Sequence, residues 1–303
     1  MATILSKEQL NLLENILTQA LDSYEVIPSI SEEEQQAKAN AELLQAYLSA
    51  KKIEGCSEKT IGYYQSTIDT LFVAVCKPVC DVTTNDIRNY LSGYQEQRKV
   101  SRVTIDNMRR IFSSFFAWLE DEDFIVKSPV RRIHRVRTES LVKEVLTDEN
   151  MEVLRDSCQE IRDIAMIDLL ASTGMRVGEL VNLNREDIDF HERQCVVFGK
   201  GNKEREVYFN ARTKIHLQNY LSSRTDDNPA LFVSLSNPHS RLSISGVEVR
   251  LRTLGRKVNI AKVHPHKFRR TLATMAIDKG MPIEQVQRLL GHVKIDRSEE
   301  RRV

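Results

Sequence analysis

The sequence predicts a mainly α-helical protein with a small β component, an α+β fold class, and three observations support this. Apolar residues recur at helical spacing through most of the chain, and serine or threonine precedes several of these stretches. Only residues 194–209 show the pattern of two short strands joined by a tight turn. A length of 303 residues suggests about two domains, at roughly 100–200 residues each.

The composition is that of a folded protein, with 41% hydrophobic and 29% charged residues. No run of about 18 apolar residues occurs, and the first residues lack the basic flank and apolar block of a signal peptide. The five cysteines, at positions 56, 76, 80, 158 and 195, lack the spacing and the nearby histidine of a zinc site. We therefore expect a cytosolic protein with reduced thiols and no bound metal.

The first 39 residues predict an acidic helical extension. Ser6 can cap a helix that ends near Val26. The leucines that share one face of this helix are Leu10, Leu13, Leu17 and Leu21. Residues 1–50 hold two basic and eight acidic groups. Because this segment cannot form a domain core by itself, we interpret it as an interaction helix or a docked appendage.

Residues 40–126 predict a bundle of about four helices. Ser57, Thr84 and Ser101 each precede an amphipathic stretch and are the expected helix caps. In the stretch after Ser101, the apolar residues of one face are Ile105, Met108, Phe112, Phe115 and Leu119. This segment is long enough to form the core of a small helical domain.

Residues 127–143 form a basic connector within a chain whose net charge is only +1. Its cations are Lys127, Arg131, Arg132, Arg135, Arg137 and Lys143, and its one anion is Glu139. A basic segment on a near-neutral chain indicates a local positive charge that could bind nucleic acid. The total charge does not show this feature. A solvated linker explains the same charges.

Residues 144–303 predict a second domain, whose first helix Thr147 can cap. The strands are expected at 194–199 and 205–209, and helices follow Val233. Arg176 lies just after Gly174, which ends one helix, and its neighbours are apolar. A guanidinium in such surroundings needs an anion, which Glu179 or a phosphate could supply.

Three further segments place cations beside apolar patterns. The turn between the strands carries Lys200 and Lys203, which solubility alone could explain. Pro265 suits the first turn of a helix, on which His266 and Arg269 are three residues apart and share a face. His292 follows a helix that ends at a glycine. Near a helix N-terminus, His266 and Arg269 could meet an anion together.

These four segments, in this order, resemble the tyrosine recombinase (phage integrase) family, in particular its Xer-like and conjugative-transposon-integrase-like members. TGMRVGEL, VVFGKGNKEREVYF, HPHKFRRTLAT and LLGHVKID are similar to the family's arginine, lysine, His-x-x-Arg and second-histidine boxes. The helical segment before them is similar to its core-binding domain, so the match covers nearly the whole chain. The resemblance implies a SAM-like core-binding domain and a catalytic domain that form a C-shaped clamp on DNA.

The resemblance also implies site-specific recombination through a 3′-phosphotyrosine ester, with no metal or nucleotide cofactor because the ester stores the bond energy. Arg176 and Arg269 would hold the non-bridging phosphate oxygens, His292 would add a hydrogen bond and Glu179 would support the arginines. His266, with a reference pKa near 6.5, would accept the nucleophile's proton. By the same resemblance, Lys200 would protonate the departing 5′ oxygen.

The partners implied are a double-stranded DNA recombination site and further copies of the chain, in a bacterial cytoplasm near the nucleoid. The candidate DNA contacts are Lys203, Arg109, Arg110, Arg131, Arg132, Arg135 and Arg137. The DNA sequence bound would depend on polar helix faces and on DNA bending. Whether the reaction is integration, excision, inversion or dimer resolution is left open.

The nucleophile departs from the family pattern. The family's tyrosine lies about nine residues beyond the second histidine, but position 301 is Arg and no tyrosine follows His292. Without the nucleophile there is no covalent catalysis, whatever remains of the electrostatic site. We therefore expect a recombinase that stops before its nucleophile, binds DNA and does not cleave it. A non-catalytic DNA-binding accessory protein is the alternative, and a type IB topoisomerase is a more distant one.

Overall fold

The computed structural model describes residues 32–137, 144–199 and 204–291, together with positions 9, 12, 13, 15 and 16. The predicted fold class is confirmed, since the described chain is mostly helical with one three-stranded sheet. Two compact units divide the chain, Met1–Ser140 and Leu141–Val303. The finer boundaries at residues 39, 126 and 143 stay predictions. Among the described residues, no helix is long and apolar enough to cross a membrane.

From residue 32 onward, the described part of the first unit contains four α-helices. They are α1 (Glu32–Ile53), α2 (Glu58–Val75), α3 (Thr84–Arg98) and α4 (Arg102–Asp121). The core is rich in aromatic rings, and Tyr47, Phe112, Phe115 and Phe116 are fully buried in it. All five residues predicted for the inner face of α4 are buried. Of the predicted extension helix, Ser6, Leu10, Leu17 and Leu21 lie outside the described residues, and Leu13 is exposed.

The predicted caps Ser57 and Ser101 are confirmed, because each side chain accepts the backbone N–H three residues ahead. The prediction of Thr84 as a cap is wrong by one residue. Thr83 caps α3, and its backbone N–H donates to Asp86 at 2.9 Å in a reciprocal capping box. Thr84 instead donates its hydroxyl to the carbonyl of Pro129 at 2.7 Å.

The first part of the basic connector packs on this first unit. Pro129–Arg132 form a short 3-10 helix, and Val130 is buried in the aromatic core. The backbone N–H of Val136 donates to Asp106 on α4 at 3.1 Å. The apolar side of the segment is therefore held by the core, and its arginines are left at the surface.

The second unit is built around a buried helix and a small antiparallel sheet. Its helices are α5 (Asp148–Asp156), α6 (Ile161–Thr173), α7 (Val177–Asn182), α8 (Ala211–Ser223), α9 (Ile244–Lys257), α10 (Pro265–Asp278) and α11 (Ile283–Leu290). Most of α6 is buried, and its buried charged residues, Arg162, Asp163 and Asp168, form ion pairs. Thr147 caps α5 as predicted, and α10 begins at Pro265 as predicted.

The sheet has the order β1 (Ile188–Asp189), β2 (Gln194–Phe198) and β3 (Glu204–Tyr208). The predicted hairpin is confirmed to within one residue at each end, whereas the two-residue β1 was not predicted because it is too short for a pattern. On β2 and β3, Cys195 faces Val207 and Val197 faces Arg205 across the ladder. Because side chains alternate along a strand, Arg205 lies on the same face as the buried Val207.

Candidate functional site

Two arginines from distant parts of the chain bind consecutive carbonyls at the end of α11. Arg269, on α10, donates to the carbonyl of Leu290 and, at 2.7 Å, to that of Gly174. Arg176, just before α7, donates from Nη2 to the carbonyl of Gly291 at 3.2 Å. The last carbonyls of a helix lack partners within it and carry partial negative charge, so they attract guanidinium groups. The structure thus brings the two predicted arginines together at one helix end.

Left-handed glycines shape both ends of this arrangement. Gly174 ends α6 with a φ of 59°, and Gly291 ends α11 with a φ of 62°. Both glycines were predicted as helix ends. Their turns point the chain so that the neighbouring carbonyls face the arginines, which a continuing helix would not allow.

Glu179 is the buried anion of the site. Its Oε1 accepts from Nη1 of Arg176 at 2.7 Å, and its Oε2 accepts from the backbone N–H of Arg176 at 2.7 Å. The sequence left open whether Arg176 meets Glu179 or a phosphate. The structure shows the first contact, and one third of the Arg176 side chain stays exposed, so an anion from solvent can still reach it.

Arg205 is a member of this cluster that the sequence analysis did not single out. Its two terminal nitrogens donate to the two oxygens of Glu179 at 2.7 and 2.8 Å. Burial raises the pKa of Glu179, but the hydrogen bonds from Arg205 and Arg176 outweigh it, so the pKa is lowered and the carboxylate stays charged. The alternation of side chains along β3 is the sequence signal for Arg205. Arg205 and Val207 are two residues apart, so both side chains lie on the inward face of the strand.

His266 lies in the first turn of α10, at the same site. Part of its side chain is exposed to solvent and the rest is covered by the protein. Partial burial lowers the pKa of its imidazole, and the positive charges of Arg269, Arg270 and Arg176 lower it further. The ring is therefore neutral near pH 7 and can accept a proton. The ring of His264 lies 6.5 Å away, and its pKa is lowered by burial and by neighbouring cations as well.

Three of the candidate residues, Lys200, Lys203 and His292, lie outside the described residues. The chain positions next to them are described. β2 ends at Phe198 and β3 begins at Glu204, and Gly291 is the acceptor for Arg176. The assignments of these three residues stay predictions.

The candidate DNA contacts of the first unit fall into two groups. Arg109 is half-buried and donates to Asp106 at 2.9 Å, so it supports the fold of α4 and the segment after it. The others are exposed on the surface of the first unit: Arg110, Arg131, Arg132, Arg135 and Arg137. Arg131 approaches Glu120 at 3.6 Å, which at that exposure is a weak contact. The exposed cations are the ones available to a DNA backbone.

Comparison with known proteins gives matches along most of the chain. Residues 144–299 match the phage integrase family, and residues 43–125 match the phage integrase N-terminal SAM-like domain. The tyrosine recombinase XerC of Staphylococcus aureus (strain bovine RF122 / ET3-1) is 30% identical over 266 residues, which are 83% of this chain and 88% of that protein.

The fold is similar to that of two solved structures. One is the Tn1549 transposon integrase in complex with a circular intermediate DNA, with a TM-score of 0.70, 19% identity and coverage of 84% of this chain and 93% of that one. The other is a lambda integrase dimer bound to a COC′ core site, with a TM-score of 0.69, 18% identity and coverage of 98% and 87%. At these identities the likeness establishes the fold of the chain.

Proposed function

The chain belongs to the phage integrase family of tyrosine recombinases, and from this premise we propose that it binds duplex DNA and places one backbone phosphate between Arg176 and Arg269. The observation that carries the proposal is the convergence of these two guanidinium groups at the end of α11. Paired arginines suit a phosphate because each offers a planar fork of donors to its oxygens.

The remaining roles follow from the positions that match the family's motifs. In strand transfer, negative charge would develop on the non-bridging oxygens of the phosphate, where Arg176 and Arg269 would stabilise it with His292. His266 is neutral near pH 7 and would take a proton from the attacking hydroxyl. Lys200 would return a proton to the departing 5′ oxygen. In the family, these roles belong to strand cleavage and rejoining through a 3′-phosphotyrosine ester, and the attacking hydroxyl is that of a tyrosine which these 303 residues lack at the matching position.

We further propose a recombination site in duplex DNA, bound by more than one copy of the chain, as the biological partner. The support is the membership of the family and the relative whose solved structure is a dimer on a core site. In the first unit, the exposed arginines of residues 131–137 would supply cations for the DNA backbone, independent of base sequence.

We expect the affinity of the full chain for a short duplex of mixed sequence to fall steeply with salt. Each phosphate neutralised by an arginine or lysine releases counterions, so 6–10 such contacts lower affinity on the order of 10³-fold or more between about 50 and 200 mM salt. Fluorescence anisotropy titrations at four salt concentrations measure the slope. A measurable affinity that does not change with salt would contradict the proposed phosphate contacts.

A polypeptide of these 303 residues is also expected to bind DNA without forming a covalent complex, because no tyrosine follows His292 in it. Binding sites are first selected from a random duplex library with the protein itself. Nicked versions of the selected sites are then incubated with it and separated under denaturing conditions. A denaturation-resistant adduct would show that another residue is the nucleophile and would overturn this part of the proposal.

The second candidate function is a DNA-binding accessory protein that uses the same arginine pair without strand transfer, and the arginine at position 301, where the family has its tyrosine, favours it. The coding DNA from codon 292 onward, read in all frames, separates the two. A tyrosine codon about nine positions after His292 in another frame would support a recombinase. Unrelated sequence in every frame would support the accessory function.

A further inference from the structure

Arg205 occupies an unusual place for a charged residue. It faces inward on β3, opposite the buried Val197, and only 13% of its side chain is exposed. A guanidinium in this position loses most of its hydration, and the contact that compensates is the pair of hydrogen bonds to Glu179. A hydrophobic residue would fill this face of the strand at lower cost, so the arginine calls for a reason beyond packing.

The carboxylate of Glu179 is shared between Arg205 and Arg176. Oε1 accepts from Nη1 of both arginines, while Oε2 accepts from Nη2 of Arg205 and from the backbone N–H of Arg176. Because Arg205 holds both oxygens, the carboxylate plane cannot rotate about its last bond. The acceptor that orients the Arg176 guanidinium therefore has one fixed direction.

Arg205 also supports the other contact of Arg176. A Cβ on Gly291 would lie 2.9 Å from Cδ and 3.2 Å from Nε of Arg205, so the glycine turn rests directly against this side chain. The carbonyl of Gly291 is the acceptor for Nη2 of Arg176. Arg205 Nε is buried and has no hydrogen-bond partner among the described residues, so only the two terminal nitrogens are hydrogen-bonded there.

We propose that Arg205 is a positioning residue that holds Arg176 in the direction of the phosphate, through Glu179 on one side and the Gly291 turn on the other. The inference rests on the proposed function, in which Arg176 binds the phosphate. It also links β3, the strand that follows the Lys200 turn, to the arginine pair. An ordinary buried ion pair would stabilise the unit without affecting how Arg176 meets a ligand.

Arg155 provides a matched control for that distinction. It lies in the same unit, 15% of its side chain is exposed, and it donates from Nε to the buried Asp168 at 2.6 Å. It makes no described contact with Arg176, Glu179 or Gly291. Arg155→Lys and Arg205→Lys each keep the charge and remove the arginine's fixed fork of donors. Both are expected to lower stability, and only Arg205→Lys is expected to change Arg176.

The first measurement uses the full chain without DNA. The order parameter of the Arg176 Nε–H group, from ¹⁵N relaxation, is expected to match that of the rigid backbone in the wild type and in Arg155→Lys. In Arg205→Lys it is expected to fall below about 0.6, the range of flexible groups. An unchanged order parameter in Arg205→Lys would overturn the proposal. If that variant does not fold, Arg205→Gln gives the same comparison, because it leaves Glu179 in place and removes the fork of donors that fixes both of its oxygens.

The second measurement asks whether the positioning matters for binding. In the wild type, Arg176→Gln is expected to weaken affinity for a short mixed-sequence duplex about tenfold or more, as loss of a charged hydrogen bond does. The same change is expected to cost about twofold or less in Arg205→Lys but tenfold again in Arg155→Lys, because coupled residues are not additive. A tenfold loss in all three backgrounds would overturn the proposal. Absence of DNA binding by the wild type would instead reject the proposed function, and the relaxation data would still decide the role of Arg205.

Discussion

Replacing Gly174 with alanine is expected to lower the free energy of unfolding of the C-terminal unit by about 2–5 kcal/mol. Gly174 has a φ of 59°, where a side chain strains the backbone. The new Cβ would lie 2.7 Å from Cδ2 of Leu272 and 3.2 Å from Cδ2 of Leu290. Leu272 is half-buried and its side chain can move, but Leu290 is fully buried in the last turn of α11, so relieving that contact disturbs the packing of the helix.

The same substitution is expected to disturb the arginine pair, because the Gly174 carbonyl accepts from Arg269 and α11 supplies the other acceptors. Urea unfolding followed by circular dichroism measures the stability. Gly178→Ala is the matched control, because its new Cβ would have only Ile244 Cδ1 near it, at 4.0 Å, and alanine suits the helix α7. Equal stability of the two variants would contradict the prediction.

The fold was largely predictable because its signals are local. Ser57, Ser101 and Thr147 cap helices whose apolar periodicity is visible in the sequence. Gly174 and Gly291 end helices as expected. The misplaced cap of α3 came from two consecutive threonines, and the deciding signal was Asp86, which is three residues after Thr83. The capping-box spacing therefore favours Thr83 over Thr84 as the cap.

The order of the candidate residues along the chain was predictable from the sequence. The contacts that these residues make were not. Arg176 and Arg269 stood out because they interrupt apolar patterns, yet their acceptors include the main-chain carbonyls of Gly174, Leu290 and Gly291. Every residue carries such a carbonyl, so no sequence pattern marks the ones that are used. The inward direction of the Arg205 side chain becomes clear only when the register of the hairpin is known.

Arg109 stays a predicted DNA contact, and the structure adds a role for it within its own helix. Asp106 lies three residues before Arg109 on α4, which is the spacing of a helical ion pair. The structure has this pair, and Asp106 also accepts from the backbone of Val136. Charge alone cannot tell a cation that binds a ligand from one that holds its own chain.

Replacing Arg269 with glutamine is expected to give the largest loss of DNA affinity from a single change in the second unit. Because Arg269 is only 3% exposed, water would screen its charge poorly from the phosphate that we propose it binds. Loss of a charged hydrogen bond costs about 1.5–3 kcal/mol, which corresponds to roughly ten- to over hundredfold in affinity. The slope of log affinity against log salt should shrink by about one phosphate contact.

The control for Arg269→Gln must separate loss of charge at the phosphate from damage to the fold. Arg162 is also buried in the second unit and donates to a main-chain carbonyl, that of Val233 at 3.0 Å, but its ionic partner is Asp163. Arg162→Gln should therefore destabilise the unit and leave the salt slope unchanged, when both variants are measured well below their unfolding midpoints. If Arg269→Gln kept the wild-type slope, or if both variants lost affinity equally, Arg269 would be a structural residue and the phosphate would lie elsewhere.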